Sequence, residues 1–315
     1  MGHQRHEIDK LLKDSEKAVL DVMQSNLSFI GDSIINGVVA KESGLSKTTK
    51  LDAVKGIKPS GLKEYKEDLL DILTIIAYET LRQTKKEVPK AKYELSENEI
   101  YSIQFVESKT VKKAAKSFKM PNKKIEVMWK KLPSKIKKQI RTQQELLVKT
   151  QLADLEKAVY FQYTTSVAQQ KKINQIKKDM FENAEDFIDG PSVRAGAPLT
   201  AHQVIGEARN SFFIDPEVSK EIEAFEFVNN YTQDRTPICT ELNGTIFAKD
   251  DPNLFKFTPP LHWNCRSVIF PILTGDLRGR KINKLKVSKK NEKYLQFSEK
   301  LKDFIEKEQY YNPWT

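Results

Sequence analysis

The sequence predicts a mainly α-helical protein that closes with a small α+β domain. Three observations carry this. Glycine is scarce, 12 in 315 residues, which disfavours a glycine-dependent β architecture. Apolar residues keep helical spacing through most of the first 190 positions. Short β-prone runs separated by turn dipeptides cluster in a single region, 226–272.

Residues 8–30 read as an amphipathic helix, because Ile8, Leu11, Leu12, Ser15, Val19, Val22 and Met23 share one face. Residues 31–61 carry Gly31, Gly37, Gly44, Gly56, Pro59 and Gly61, and are expected to form a loop. A more apolar helix follows over 62–87, stopped by Pro89. Ser96 and Glu99 have capping-box spacing and should start the next helix. On it, Val111, Ala114, Ala115 and Phe118 make an apolar stripe, with Lys109, Lys112, Lys113 and Lys116 roughly opposite. Pro121 ends that helix, and Ile125, Met128, Trp129 and Leu132 define a short one.

Pro133 opens a long helical stretch over about 134–188, with a break expected at "YTTS" (163–166) and an end at "DGP". "SVRAGAPLTAHQ" reads as a linker into a helix capped by Thr200 and Gln203, with Val204, Ile205, Ala208 and Phe212 inward. "FEFVNNYT", "TIFA" and "SVIFPI" are strand-like, and "TELNGTIF" suggests a hairpin turned at Asn243-Gly244. The tail is basic, then amphipathic at Leu295, Phe297, Leu301, Phe304 and Ile305. The organisation expected is an α-helical region 1–190 with a basic segment 109–141, an α+β domain 191–275, and a tail 276–315.

Net charge is +10, and it is segregated. Residues 109–141 hold thirteen Lys/Arg and a single acid, Glu126; residues 276–293 hold eight basic and two acidic side chains. Residues 214–251 hold nine acids against three bases. Such separation points to a polyanionic partner, and a basic stretch on helices can neutralise phosphates such as those of double-stranded DNA. The candidate phosphate contacts are Lys109, Lys112, Lys113, Lys116, Lys119, Lys123, Lys124, Lys130, Lys131, Lys135, Lys137, Lys138 and Arg141. The alternative is a solvated lysine face, but a solvated helix usually mixes signs for i,i+4 support. "KTVKKAAKSFKMPNKKIEVMW" also has the outline of a helix-turn-helix. No run of about 18 apolar residues occurs, so no membrane partner is expected. "MGHQRHEIDK" lacks the apolar core of a secretion signal, so a cytoplasmic start is expected, with reduced thiols.

The two cysteines, Cys239 and Cys265, lie in the turn-rich region with His262 three positions before the second. A proline-braced turn that folded back on the preceding segment would bring them together. Two thiolates and an imidazole are three ligands of a tetrahedral structural zinc site, with Asp234 as the fourth. The other readings are buried thiols packed as small hydrophobes, with His262 bonded to backbone, and a disulfide. A nucleophilic Cys265–His262 pair would need a third orienting group, and no Gly-rich oxyanion loop is visible.

"DRTPICTELNGTIF" and "FTPPLHWNCRSVIFPI" together resemble the signature of the phage head morphogenesis domain, the phage Mu F-like minor head protein family. The matching positions are Asp234, Arg235, Cys239, Leu242, Gly244, Phe247, Pro259, Pro260, His262, Asn264, Cys265 and Arg266. Thr236 is followed directly by Pro237, one residue shorter than the usual form, and the family's Arg-Thr-Glu/Asn element is matched loosely by Arg209 and Asn210. The resemblance covers about residues 195–273. It implies a non-enzymatic minor component of the head, made in the host cytoplasm and located inside the virion. Its partners would be the portal protein, capsid or scaffolding protein, and DNA that it accompanies at ejection. Two rival readings are an ADP-ribosyltransferase-like effector, echoed weakly by "TTS" and "EIE" on apparent helices, and a helix-turn-helix regulator.

Overall fold

A computed structural model describes residues 2–42, 57–93, 108–118, 128–129, 132–229, 236–259, 261 and 265–292. The protein is mainly α-helical with a small three-stranded antiparallel sheet near the C-terminus. The elements run α1 (Gly2–Glu42), α2 (Leu62–Lys85), α3 (Lys109–Ala114), α4 (Ser134–Ala168), α5 (Ile173–Ile188), α6 (Pro191–Phe213) and α7 (Pro216–Ser219). Then come β1 (Ile222–Val228), α8 (Pro237–Leu242), β2 (Ile246–Ala248), α9 (Leu254–Phe257) and β3 (Val268–Leu273). A 3₁₀ turn, Ala115–Phe118, continues α3, and another spans Lys289–Asn291.

The first helix is longer than its glycines suggest. It runs through Gly31 and Gly37 to Glu42, so the expected loop at 31–61 is corrected over 31–42. The reason is burial. Ile30, Ile34, Ile35 and Val38 continue the apolar stripe of Val19, Val22, Met23 and Leu27, and all are buried. That burial outweighs the roughly 1 kcal/mol propensity cost of each glycine. The expected long helix over 134–188 is divided at 169–172, three residues beyond "YTTS". There Gln170 takes φ 56° and the chain turns α5 back against α4.

Glycine at 190 is sterically required. A Cβ there would lie 2.8 Å from the carbonyl of Asp186 and 3.0 Å from that of Phe187. It is followed at once by Pro191 at the start of α6. "SVRAGAPLTAHQ" is therefore helix rather than linker, and Thr200 and Gln203 are interior residues rather than a cap. Pro198 donates no hydrogen bond to the carbonyl of residue 194, yet the helix persists. Val193, Ala197, Ala201, Val204, Ile205, Ala208 and Phe212 supply a buried face that offsets the loss. The helix packs against α1, α2, α4 and α5, and one apolar core runs from Ile8 to Leu285. The boundary drawn at 190/191 from composition falls inside that core.

The sheet order is β2-β1-β3, both pairings antiparallel. Phe225 of β1 faces Phe247 of β2 and Pro271 of β3. Pro271 donates nothing to a ladder and sits on an edge strand, where that costs least. The expected hairpin at "TELNGTIF" is corrected: its first arm is α8, which Pro237 starts, and β2 pairs with β1 instead. Gly244 does make the turn, at φ 77°, in the left-handed region open to glycine. A chain of rings, Tyr93, Phe212, Phe213, Phe225 and Phe247, joins the helices to the sheet at centroid separations of 4.8 to 6.1 Å. The far side of the sheet is covered by a smaller cluster of Ala224, Ile246 and Ile272, against which Leu277 packs.

Candidate functional site

The turn before β3 is held from three directions. Cys265 and Cys239, 26 positions apart, approach to 3.8 Å between Sγ atoms, and both are buried. Cys239 is placed by α8, Cys265 by the segment leading into β3. The carbonyl of Cys265 meets Nδ1 of His202 at 2.9 Å. Nε2 of His202 meets Oε1 of Glu16 at 2.7 Å, and Arg266 donates to the other carboxylate oxygen of Glu16 at 2.7 Å. Three distant segments, α1, α6 and the turn, thus converge on one carboxylate.

The protonation pattern follows from the acceptors. A carbonyl only accepts, so Nδ1 of His202 must carry a hydrogen. Nε2 in turn faces the carboxylate of Glu16. Beside this network Asp9 has its carboxyl raised from the ordinary value, by burial first, with Lys13, His6 and Arg266 acting the other way.

A second clasp lies one helical segment further along α6. Arg209 makes a two-pronged ion pair with Glu87, at 2.5 and 2.9 Å, and also donates to the carbonyl of Ile269 in β3 at 2.7 Å. Its guanidinium lies 5.2 Å from the ring centre of Phe213 and 5.3 Å from that of Phe270. Arg209 is 3% exposed and Glu87 8%. Burial pushes the carboxyl of Glu87 up, and Arg209 pulls it down. The pair ties the residues after α2 to both α6 and the sheet.

Of the residues singled out in the sequence, Cys239, Cys265 and Arg266 are brought together; Gly244 and Pro259 hold a turn and a buried position. Asp234, Arg235, Pro260, His262 and Asn264 lie outside the described residues. Among the described residues no group of three His, Cys, Asp or Glu is placed to hold a metal. The imidazole that meets the turn is His202. Sequence reading missed it, along with Glu16 and Glu87, because each lies on a helix far from the turn and no local spacing marks it.

The two faces of 109–118 fall as the periodicity predicts, but the helix that carries them starts at Lys109 and not at Ser96, which lies with Glu99 outside the described residues. Ser108 caps α3, accepting from the amide of Val111 at 3.3 Å. Val111, Ala114 and Phe118 are buried against α1 and α2. Lys109, Lys112, Lys113 and Lys116 are exposed on the other side. Lys135, Lys138 and Arg141 are exposed on the first turns of α4, and Lys137 is half-buried. Arg141 sits 5.1 Å over the ring of Trp129. Lys119, Lys123, Lys124, Lys130 and Lys131 lie outside the described residues, as does the middle of the helix-turn-helix outline, 119–127.

The transferase echoes are not arranged as a site. "TTS" is in the body of α4, where Thr164 and Thr165 bond back to the carbonyl of Phe161 and Ser166 donates to Asp179. Glu221 and Glu223 flank the first residue of β1 rather than lying on a helix, and Glu223 accepts from the amide of Gly275. No helix among the described residues is long and apolar enough to cross a membrane.

Comparison with protein-family models, with curated proteins and with solved structures finds no match.

Proposed function

We propose that this chain is a non-enzymatic minor head protein of a phage, lying inside the capsid and touching packaged duplex DNA through the lysine face of α3 and the start of α4. The observation that carries the DNA contact is the one-sided burial of α3. Its apolar side is fixed to α1 and α2, so Lys109, Lys112, Lys113 and Lys116 are presented together to solvent. Lysines on a fixed helix reach phosphates more readily than base edges, so the affinity is independent of sequence and steep in salt. The head assignment rests on the motif resemblance, and the closure of Cys239, Cys265 and Arg266 into one clasp fits a motif whose role is structural. In this reading the C-terminal part docks on the portal or inner capsid.

Replacing Lys109, Lys112, Lys113 and Lys116 by glutamine tests the contact. If all four meet phosphate, the slope of log K against log salt flattens by about 3.6. An unchanged slope removes this face from the binding surface. Titration across unrelated duplexes separates the regulator reading, which requires a strong preference for one of them. Protease protection of the chain in filled heads, and its loss from heads after ejection, tests the location.

A further inference from the structure

We infer that Cys239 and Cys265 form a closable thiol pair, oxidised by peroxide to a disulfide that fastens α8 to the turn leading into β3 from outside the sheet ladder. The inference rests on the fold alone and stands apart from the head assignment. The Sγ atoms are 3.8 Å apart. A disulfide needs about 2.05 Å, so the two sulfurs have only about 1.75 Å to close. The backbone on one side is anchored: the carbonyl of Cys265 is bonded to His202, which Glu16 holds in turn. On the other side Cys239 is fixed within the helix α8, whose Ile238 and Leu242 are buried in the core.

No β pairing joins α8 and β2 to β3 directly, since β1 lies between them. The new bond would therefore add a connection that the ladder lacks. Cys265 is the more accessible of the two, and it helps line a small cavity of about 20 Å³ together with His202, Arg209 and Ser267. That space suits an oxidant as compact as hydrogen peroxide. In the first step the thiolate of Cys265 attacks one peroxide oxygen, the O–O bond breaks, and a sulfenic acid and hydroxide result. In the second step the sulfur of Cys239 attacks that of Cys265. The S–O bond breaks, the S–S bond forms and water leaves with the proton of the second thiol. Overall two thiols are oxidised and one peroxide is reduced to two waters.

The test is titration of the reduced, full-length protein with hydrogen peroxide, read by intact mass, by peptide mapping and by thermal unfolding. The expected product has lost two hydrogens, yields a Cys239–Cys265 cross-linked peptide and unfolds at a higher temperature, all reversed by a thiol reductant. Cys239→Ser is expected to stop at the sulfenic acid and to be trapped by dimedone, with no change in midpoint. Retention of both thiols overturns the inference. So does oxidation of the wild type to sulfinic acid or to a disulfide-linked dimer, or a stoichiometric zinc ion shielding both thiols in the purified protein.

Discussion

Replacing Arg209 by methionine is expected to be the most damaging single change in the C-terminal half, and its cost should depend on pH. The substitution keeps much of the side-chain length but leaves Glu87, 8% exposed, without its guanidinium partner. Breaking a buried ion pair from one side costs about 3–5 kcal/mol, because the remaining charge is uncompensated. Glu87 can escape by taking up a proton. Starting from the ordinary value of 4.5, holding that proton costs about 3.4 kcal/mol at pH 7 but only about 0.8 kcal/mol at pH 5. The sign is that of a carboxyl whose folded value is raised: stability is present at low pH and is lost as pH rises. The gap between wild type and variant should therefore narrow by at most about 2.6 kcal/mol on going from pH 7 to pH 5, and by less to the extent that the wild-type carboxyl is itself raised. The loss of packing against Phe213 and Phe270 and of the bond to Ile269 is independent of pH and persists. Urea unfolding of wild type, Arg209→Met, Glu87→Gln and the double variant at the two pH values measures this. The double variant should recover most of the charge-dependent loss, because no buried charge remains. A penalty equal at pH 5 and pH 7, or a double variant as weak as Arg209→Met, would refute the ion pair as the source of the stability.

Closing the Cys239–Cys265 disulfide should add about 3.5 kcal/mol through the loop entropy removed from the unfolded chain, measurable as the shift in urea midpoint between oxidised and reduced protein. Glu16→Gln removes the charge shared by His202 and Arg266 and should cost about 1.5–3 kcal/mol, with a loss of amide protection around the turn at 265–267 in hydrogen exchange. Asp71 is raised to about 7, by burial first and then by Asp68 and Glu67. Its contribution to stability is therefore complete below about pH 4 and disappears as pH rises through 7. Asp71→Asn should be no more stable than wild type at pH 4 and more stable at pH 8; equal pH profiles for the two proteins would rule this out.

The amino-acid order determined what is local. The helical spacing of Val19, Val22, Met23 and Leu27 and of Val111, Ala114 and Phe118 marks the faces that are in fact buried, and the lysines opposite are in fact exposed. The turn at Gly244 and the three strands were legible for the same reason, since each depends on neighbours within a few residues. Where glycine and proline signals competed with burial they misled. α1 runs through Gly31 and Gly37, and α6 includes Pro198, because the apolar surface removed from water outweighs a lost hydrogen bond or a weak propensity.

The meeting of the two cysteines was one of several arrangements the sequence allowed, and only the folded chain selected it. The partners that hold the turn had no sequence signal at all. Glu16 and Arg266 are 250 positions apart, Glu87 and Arg209 122, and His202 and Cys265 63. No periodicity links residues at such separations. Helix packing brings them within hydrogen-bond reach, and burial then makes each charge require the other.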